Sequence, residues 1–366
     1  FCALARKHYQ SAPPPAGSSS LARRAGILVG MSENQPIRQR LPLKGISSRA
    51  WEHPADRGAL VALRRLQGFD TLIRKLSGFL NERMVKMQLL GSCVRVTERQ
   101  FAQVHRLYSE AATTLDAQSL PSLYVQADPT YNATTIGIDS PKIVLNSSLL
   151  DLLDDDELRF VLGHELGHAL SGHALYRTLL TYMVSLTTSL SGVPFGALGI
   201  QAIRVALAEW ARKSELSSDR AGLLATQDLP AAIRVHMKLA SGGRLQDLDQ
   251  TEFLTQAREY EDSEDLRDSL MKLLLVEGAT HPMNVVRAGE LRRWVDSGAY
   301  ADILAGNYPR RDDDKDAKIS DEAAAAAESY TKSFNESEDA LAKLLRDVGD
   351  GVGGIGRWVA GKFRGN

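Results

Sequence analysis

Residues 164–168 read His-Glu-Leu-Gly-His. On a helix, His164 and His168 stand one turn apart and project from the same face. Two imidazoles so placed can share one Zn²⁺. Glu165 lies about 100° around the helix from His164. It can reach a water on the metal without ligating the metal itself. The chemistry this arrangement supports is hydrolytic: zinc brings the pKa of the water to about 7 and polarises a carbonyl, and the carboxylate takes the proton.

A catalytic zinc needs a third protein ligand and an open fourth position. A third histidine six residues after the second is excluded, because that position is Ala174. His173 falls one residue short and reads as either a helix-end residue or one that supports a ligand from behind, not as a ligand itself. A later glutamate is the remaining option, and Glu209 and Glu215 lie on one helix. Glu215 is the better candidate, since Asp219 follows one turn on and can hydrogen-bond a ligating imidazole, fixing its tautomer.

These residues need elements to carry them. Asp154, with Glu157 three residues on, marks the start of an amphipathic helix running to about Gly172 through Leu158, Val161, Leu162, Leu166 and Ala169. Residues 123–127, 134–138 and 142–146 read as strands, the last two separated by the turn signal Asp139-Ser140-Pro141. Residues 41–46 suggest a further short strand, and 56–90 a helical region. Thr97 and Gln100 form a capping box for a helix presenting Phe101, Val104, Tyr108, Ala111 and Leu115. From Thr178 to Ile203 no residue is charged. Pro194 divides that run into halves of about 14 residues or fewer, short of the roughly 20 a membrane-spanning helix needs. It reads first as a buried helical hairpin, with membrane contact as the alternative. A helix is expected from Gln201 to about Thr226, and more helices over 230–300.

The rest of the chain sets limits. Its 366 residues allow a sizeable core, and 43% hydrophobic with 24% charged residues is ordinary for a globular protein. A net charge of −1 gives no reason to expect a nucleic-acid partner. Cys2 and Cys93 provide neither a disulfide framework nor a thiolate metal site. Residues 1–40 read as a disordered leader with Met31 as the natural start, and no export signal is evident. Residues 309–340 read as a charged, solvated linker, and 341–366 as a glycine-rich amphipathic tail.

The chain resembles the gluzincin peptidases that include the HtpX-type heat-shock proteases and the CAAX prenyl protease. Four features carry the resemblance, over about 120–308. They are His164-Glu165-Leu166-Gly167-His168 followed by His173; Glu215 through Asp219, continued by Arg220-Ala221-Gly222; Thr280-His281-Pro282 with Arg287 six residues after the histidine; and Asn132-Ala133 ahead of Gly137. The resemblance implies Glu215 as third zinc ligand and Asp219 as its supporting carboxylate. It implies His281 and Arg287 as donors to the oxyanion of the tetrahedral intermediate. Asn132 and Ala133 would lie on an edge strand that pairs with an extended substrate.

The expectation is therefore an α+β, mostly helical zincin-type domain over 121–308. A helical region (41–120) precedes it, and a small sheet edge lies beside the zinc helix. The expected activity is a zinc metalloendopeptidase, one Zn²⁺ per chain, acting on extended or unfolded protein segments. The alternative is a chaperone-like or adaptor protein that keeps the zinc site without turnover. The expected location is cytoplasmic or membrane-associated, with peripheral contact through 178–203 or 341–366.

Overall fold

The computed structural model describes residues 39–65, 82–185, 196–262 and 283–316, together with 320, 321, 323–328 and 331. His281 and the 341–366 tail, both singled out in the sequence, lie outside these residues, as do 1–38 and the Pro194 turn. The chain divides into two units at Gln39, and every described helix and strand belongs to the second, from Arg40 onward.

Helices α1 (Pro54–Arg65) and α2 (Glu82–Ser92) precede a two-residue strand β1 (Val94–Arg95). Helix α3 (Ala102–Thr114) is followed by β2 (Ser122–Gln126), β3 (Ala133–Ile136) and β4 (Lys142–Asn146). The sheet order is β1-β2-β4-β3. β2 runs parallel to β4, while β3 runs antiparallel to β4 and forms one edge. The remainder is helical: α4 (Ser147–Leu152), α5 (Asp155–Leu170), α6 (His173–Ser185), α7 (Gly196–Thr226), α8 (Leu229–Ser241), α9 (Gln250–Asp262), α10 (Asn284–Asp296) and α11 (Ala299–Leu304). The molecule is thus α+β and mostly helical.

The three long strands and the start of α5 stand where the sequence puts them. Asp154 Oδ1 accepts from the backbone N–H of Glu157 at 2.9 Å, and Glu157 Oε2 accepts from the N–H of Asp154 at 2.9 Å. This closed box satisfies end groups the helix cannot pair internally. Two local readings fail. Residues 41–46 form a turn with a single bridge, Ile46 to Arg310, because Gly45 sits at φ 67° and Pro42 brings no N–H. Thr97 caps a tight turn, accepting from the N–H of Arg99 and Gln100, and α3 starts only at Ala102 after Phe101 at φ 52°. Val104, Tyr108, Ala111 and Leu115 then face the core, while Phe101 stays exposed.

Helix α5 is not amphipathic. Every residue from Glu157 to His168 is buried, so the helix is packed on all sides. Glu157 and Arg159 survive burial because each is paired with opposite charge. Glu157 is held by Arg234 at 2.9 Å and Lys238 at 2.6 Å, and Arg159 by Glu110 at 2.7 Å and by Asp156. Helix α7 is its closest partner. A Cβ on Gly167 would stand 2.6 Å from Ala221 Cβ and 3.2 Å from Ser218 Cα, and one on Gly163 would stand 3.1 Å from Gly222 Cα. The missing side chains let the two backbones touch. Gly167→Ala is accordingly expected to cost about 1–3 kcal/mol through overpacking, more than the gain of about 1 kcal/mol in helix propensity. A lowered thermal midpoint would show it; an unchanged or raised one would contradict the seam.

Residues 41–65 pack into the same unit. Trp51 is buried and its indole N–H donates to Ser171 Oγ at 3.0 Å. The backbone N–H of His53 donates to Ser217 Oγ at 2.8 Å. Ala323 and Ala327 are buried, with the Ala327 backbone nitrogen 2.6 Å from where a Gly58 Cβ would be. That part of the expected solvated linker is therefore packed on α1. Helices α6 and α7 include the described parts of the uncharged run, and α7 begins five residues before the expected Gln201. Among the described residues, no helix is long and apolar enough to cross a membrane.

Candidate metal centre

Helix α5 supplies His164 and His168, and the seam with α7 brings Glu215 to them. His164 Nε2 lies 3.5 Å from Glu215 Oε2, and His168 Nε2 lies 3.3 Å from Glu215 Oε1. One donor atom from each of the three falls within 4.8 Å of the others, and all three residues are buried. Among the described residues this is the one His/Cys/Asp/Glu group of that kind. Glu209, the other candidate glutamate, is not part of this group and pairs with Arg212 and, at 3.0 Å, Lys213.

Both imidazoles turn Nε2 inward and have partners at Nδ1. His164 Nδ1 lies 2.9 Å from Asp219 Oδ1. His168 Nδ1 lies 3.1 Å from His173 Nδ1. Asp219, one turn beyond Glu215, is in turn gripped by Arg287 through Nε at 2.7 Å and Nη2 at 2.5 Å. Arg287 Nη1 also lies 3.1 Å from Glu215 Oε2. Arg177 from α6 bonds the other oxygen of Glu215. Two guanidinium groups thus fix both oxygens of that carboxylate.

The electrostatics reflect these neighbours. Burial disfavours a charged His164, yet Asp219 and Glu215 outweigh it and raise its pKa to about 9. Burial and the Arg177 charge hold His168 neutral, against the pull of Glu215. Burial would raise Asp219, but Arg287 above all keeps it well below the usual carboxylate range.

Glu165 is 1% exposed. Its Oε2 accepts from the Thr135 hydroxyl at 2.6 Å, and the same hydroxyl reaches the Glu165 backbone carbonyl at 3.1 Å. Thr135 comes from β3, so the edge strand clamps the carboxylate of Glu165. A cleft of about 380 Å³ opens here, lined by His164, Glu165 and Arg287 on one side and by Asn132 and Ala133 on another. Asn132 leads into β3, its carbonyl accepting from the N–H of Asn146 at 2.9 Å.

The site thus brings together His164, Glu165, His168, Glu215, Asp219, Arg287, Asn132 and Ala133. Two further participants escaped the sequence reading. Thr135 has a weak signal, as an inward residue of an alternating strand. Arg177 has a stronger one, the last charge before a long uncharged run.

The comparisons define the class. Residues 98–295 match the model for peptidase family M48. The chain is 32% identical over 314 residues to plastoglobule-localized metallopeptidase 48, chloroplastic, of Arabidopsis thaliana, covering 80% of this chain and 88% of that one. This chain belongs to peptidase family M48. It is a metallopeptidase, a hydrolase acting on protein, and a metal is its cofactor. It is also similar to the protease HtpX of Xanthomonas euvesicatoria (26% over 155 residues, 40% of this chain and 52% of that one). A protease HtpX homolog of Kineococcus radiotolerans is 35% identical over 109 residues, 28% of this chain and 37% of that one. No solved structure matches.

Proposed function

We propose that the chain is a zinc metalloendopeptidase that cleaves extended or unfolded protein segments. The observation that carries this reading is the convergence of two inward imidazole nitrogens and a carboxylate within 4.8 Å, with Glu165 beside them on an open cleft. The donor set suits zinc: two nitrogens and one carboxylate with three protein ligands is a catalytic pattern, whereas calcium and magnesium favour oxygen donors throughout. His164, His168 and Glu215 would hold the metal. When bound, zinc would supply a Lewis acid and bring the pKa of a water near 7.

The other steps belong to the chain. Glu165, anchored by Thr135, takes the proton of the attacking water and returns it to the leaving amine. Asp219 keeps the proton of His164 on Nδ1 and so leaves Nε2 for ligation. Arg287 fixes Asp219 and Glu215 and presents its charge to the cleft, where it favours the developing oxyanion. His281 is proposed for the same role on the resemblance alone. The β3 edge, entered at Asn132 and Ala133, offers main-chain pairing to an extended substrate. That feature favours peptides over small amides.

The test is metal content against turnover. Purified protein is expected to hold about one zinc per chain by elemental analysis. Chelation should remove zinc and casein cleavage together, and added zinc should restore both. Metal-stripped protein that still cleaved casein at the original rate would end this reading.

A further inference from the structure

The two histidines on α5 are supported differently. His164 leans directly on the Asp219 carboxylate. His168 meets another imidazole instead, Nδ1 to Nδ1 at 3.1 Å. Behind that second ring, His173 Nε2 lies 3.0 Å from Asp56 Oδ2. Asp56 is 1% exposed and comes from α1, upstream of the segment that matches the family model.

We propose that Asp56 is a positioning residue for the ligand His168, acting through His173 as a buried carboxylate–imidazole–imidazole relay. The inference rests on the reading of His168 as a metal ligand. Hydrogen bonding then dictates each proton. A ligating Nε2 must be bare, so His168 carries its proton on Nδ1 and donates it to His173 Nδ1. His173 Nδ1 must accept, so its own proton sits on Nε2, directed at Asp56. Only an acceptor at position 56 completes the series. The other neighbours of Asp56 are donors. The Trp210 indole N–H donates to Oδ1 at 2.9 Å. Ser217 Oγ, which accepts from the N–H of His53, donates to Oδ2 at 2.5 Å. A carboxylate ringed by three donors is held as the acceptor the relay needs. Both imidazole ligands are thereby backed by a carboxylate, one in direct contact and one at a single remove.

The same geometry makes Asp56→Asn a sharp test. The Trp210 N–H can only donate, so the amide oxygen must face it. The NH₂ group then takes the place of Oδ2 against His173 Nε2. That nitrogen has to accept, the His173 proton moves to Nδ1, and His168 is left with its proton on Nε2, where the ligand lone pair is needed. Competition with a zinc-chelating dye is expected to show Asp56→Asn binding zinc about 10–100-fold more weakly than wild type. Trp210→Phe removes a different bond to Asp56 and leaves the carboxylate on His173, so its affinity should stay within about threefold.

Equal weakening in both variants would reduce Asp56 to a structural prop and overturn the relay, as would unchanged affinity in Asp56→Asn. Should Asp56→Asn fail to fold, His173→Leu and His173→Gln replace it. Leucine removes the acceptor and should weaken zinc, whereas glutamine can present a carbonyl to His168 Nδ1 and should retain it. Similar affinity in the two would again overturn the relay. A wild-type chain that bound no zinc would instead overturn the metal reading beneath it.

Discussion

Glu165→Gln is expected to keep its zinc and lose casein cleavage by about 10²–10⁴-fold, the usual worth of a general base. Glutamine matches glutamate in shape, and its carbonyl can still accept from the Thr135 hydroxyl that now holds Oε2 at 2.6 Å. The fold and the three ligands should therefore be undisturbed, and metal content and thermal midpoint should remain near wild type. What is lost is the ability to take a proton. A variant that cleaved as fast as wild type would rule out Glu165 as the base. A variant that lost its zinc would show that the side chain holds the metal instead.

Glu215→Ala has the largest expected effect on the folded state. The side chain is 1% exposed and lies against two buried cations, Arg177 and Arg287, besides the two imidazoles. Removing it leaves two guanidinium groups short of a counter-charge in the interior. Breaking a buried pair in this way costs about 3–5 kcal/mol, or roughly 6–20 °C in thermal midpoint for a domain of this size. Zinc binding should fall to background. Glu209→Ala is the matched control: it pairs with Arg212 and Lys213 on its own helix, both half-buried, and it touches neither imidazole, so zinc binding should stay near wild type. Zinc retained by Glu215→Ala and lost by Glu209→Ala would reverse the choice of third ligand.

Much of this site was legible in the chain. The spacing of His164, Glu165 and His168 has one geometric meaning on a helix, and Asp154 with Glu157 announced where that helix starts. Glu215 could be singled out because Asp219 lies one turn beyond it. Local periodicity could not show that α5 is buried on every side, since its charged residues look like a solvent face. Their partners, Arg234 and Glu110, lie far away in sequence. The same limit hid Arg177, which reaches the site only through tertiary packing. At Phe101 and Gly45 the positive φ values decided the outcome. Neither a capping motif nor a short alternating run reveals such a backbone state.

The seam between α5 and α7 has a consequence for how tolerant the centre should be. Its width is set by main-chain atoms and alanine Cβ atoms meeting at Gly163, Gly167 and Gly222. The triangle of donor atoms is therefore spaced by two backbones and owes little to the rotamers of the surrounding leucines and valines. Sequence drift in that apolar surround can erode or add stability while the bite of the ligands keeps its dimensions.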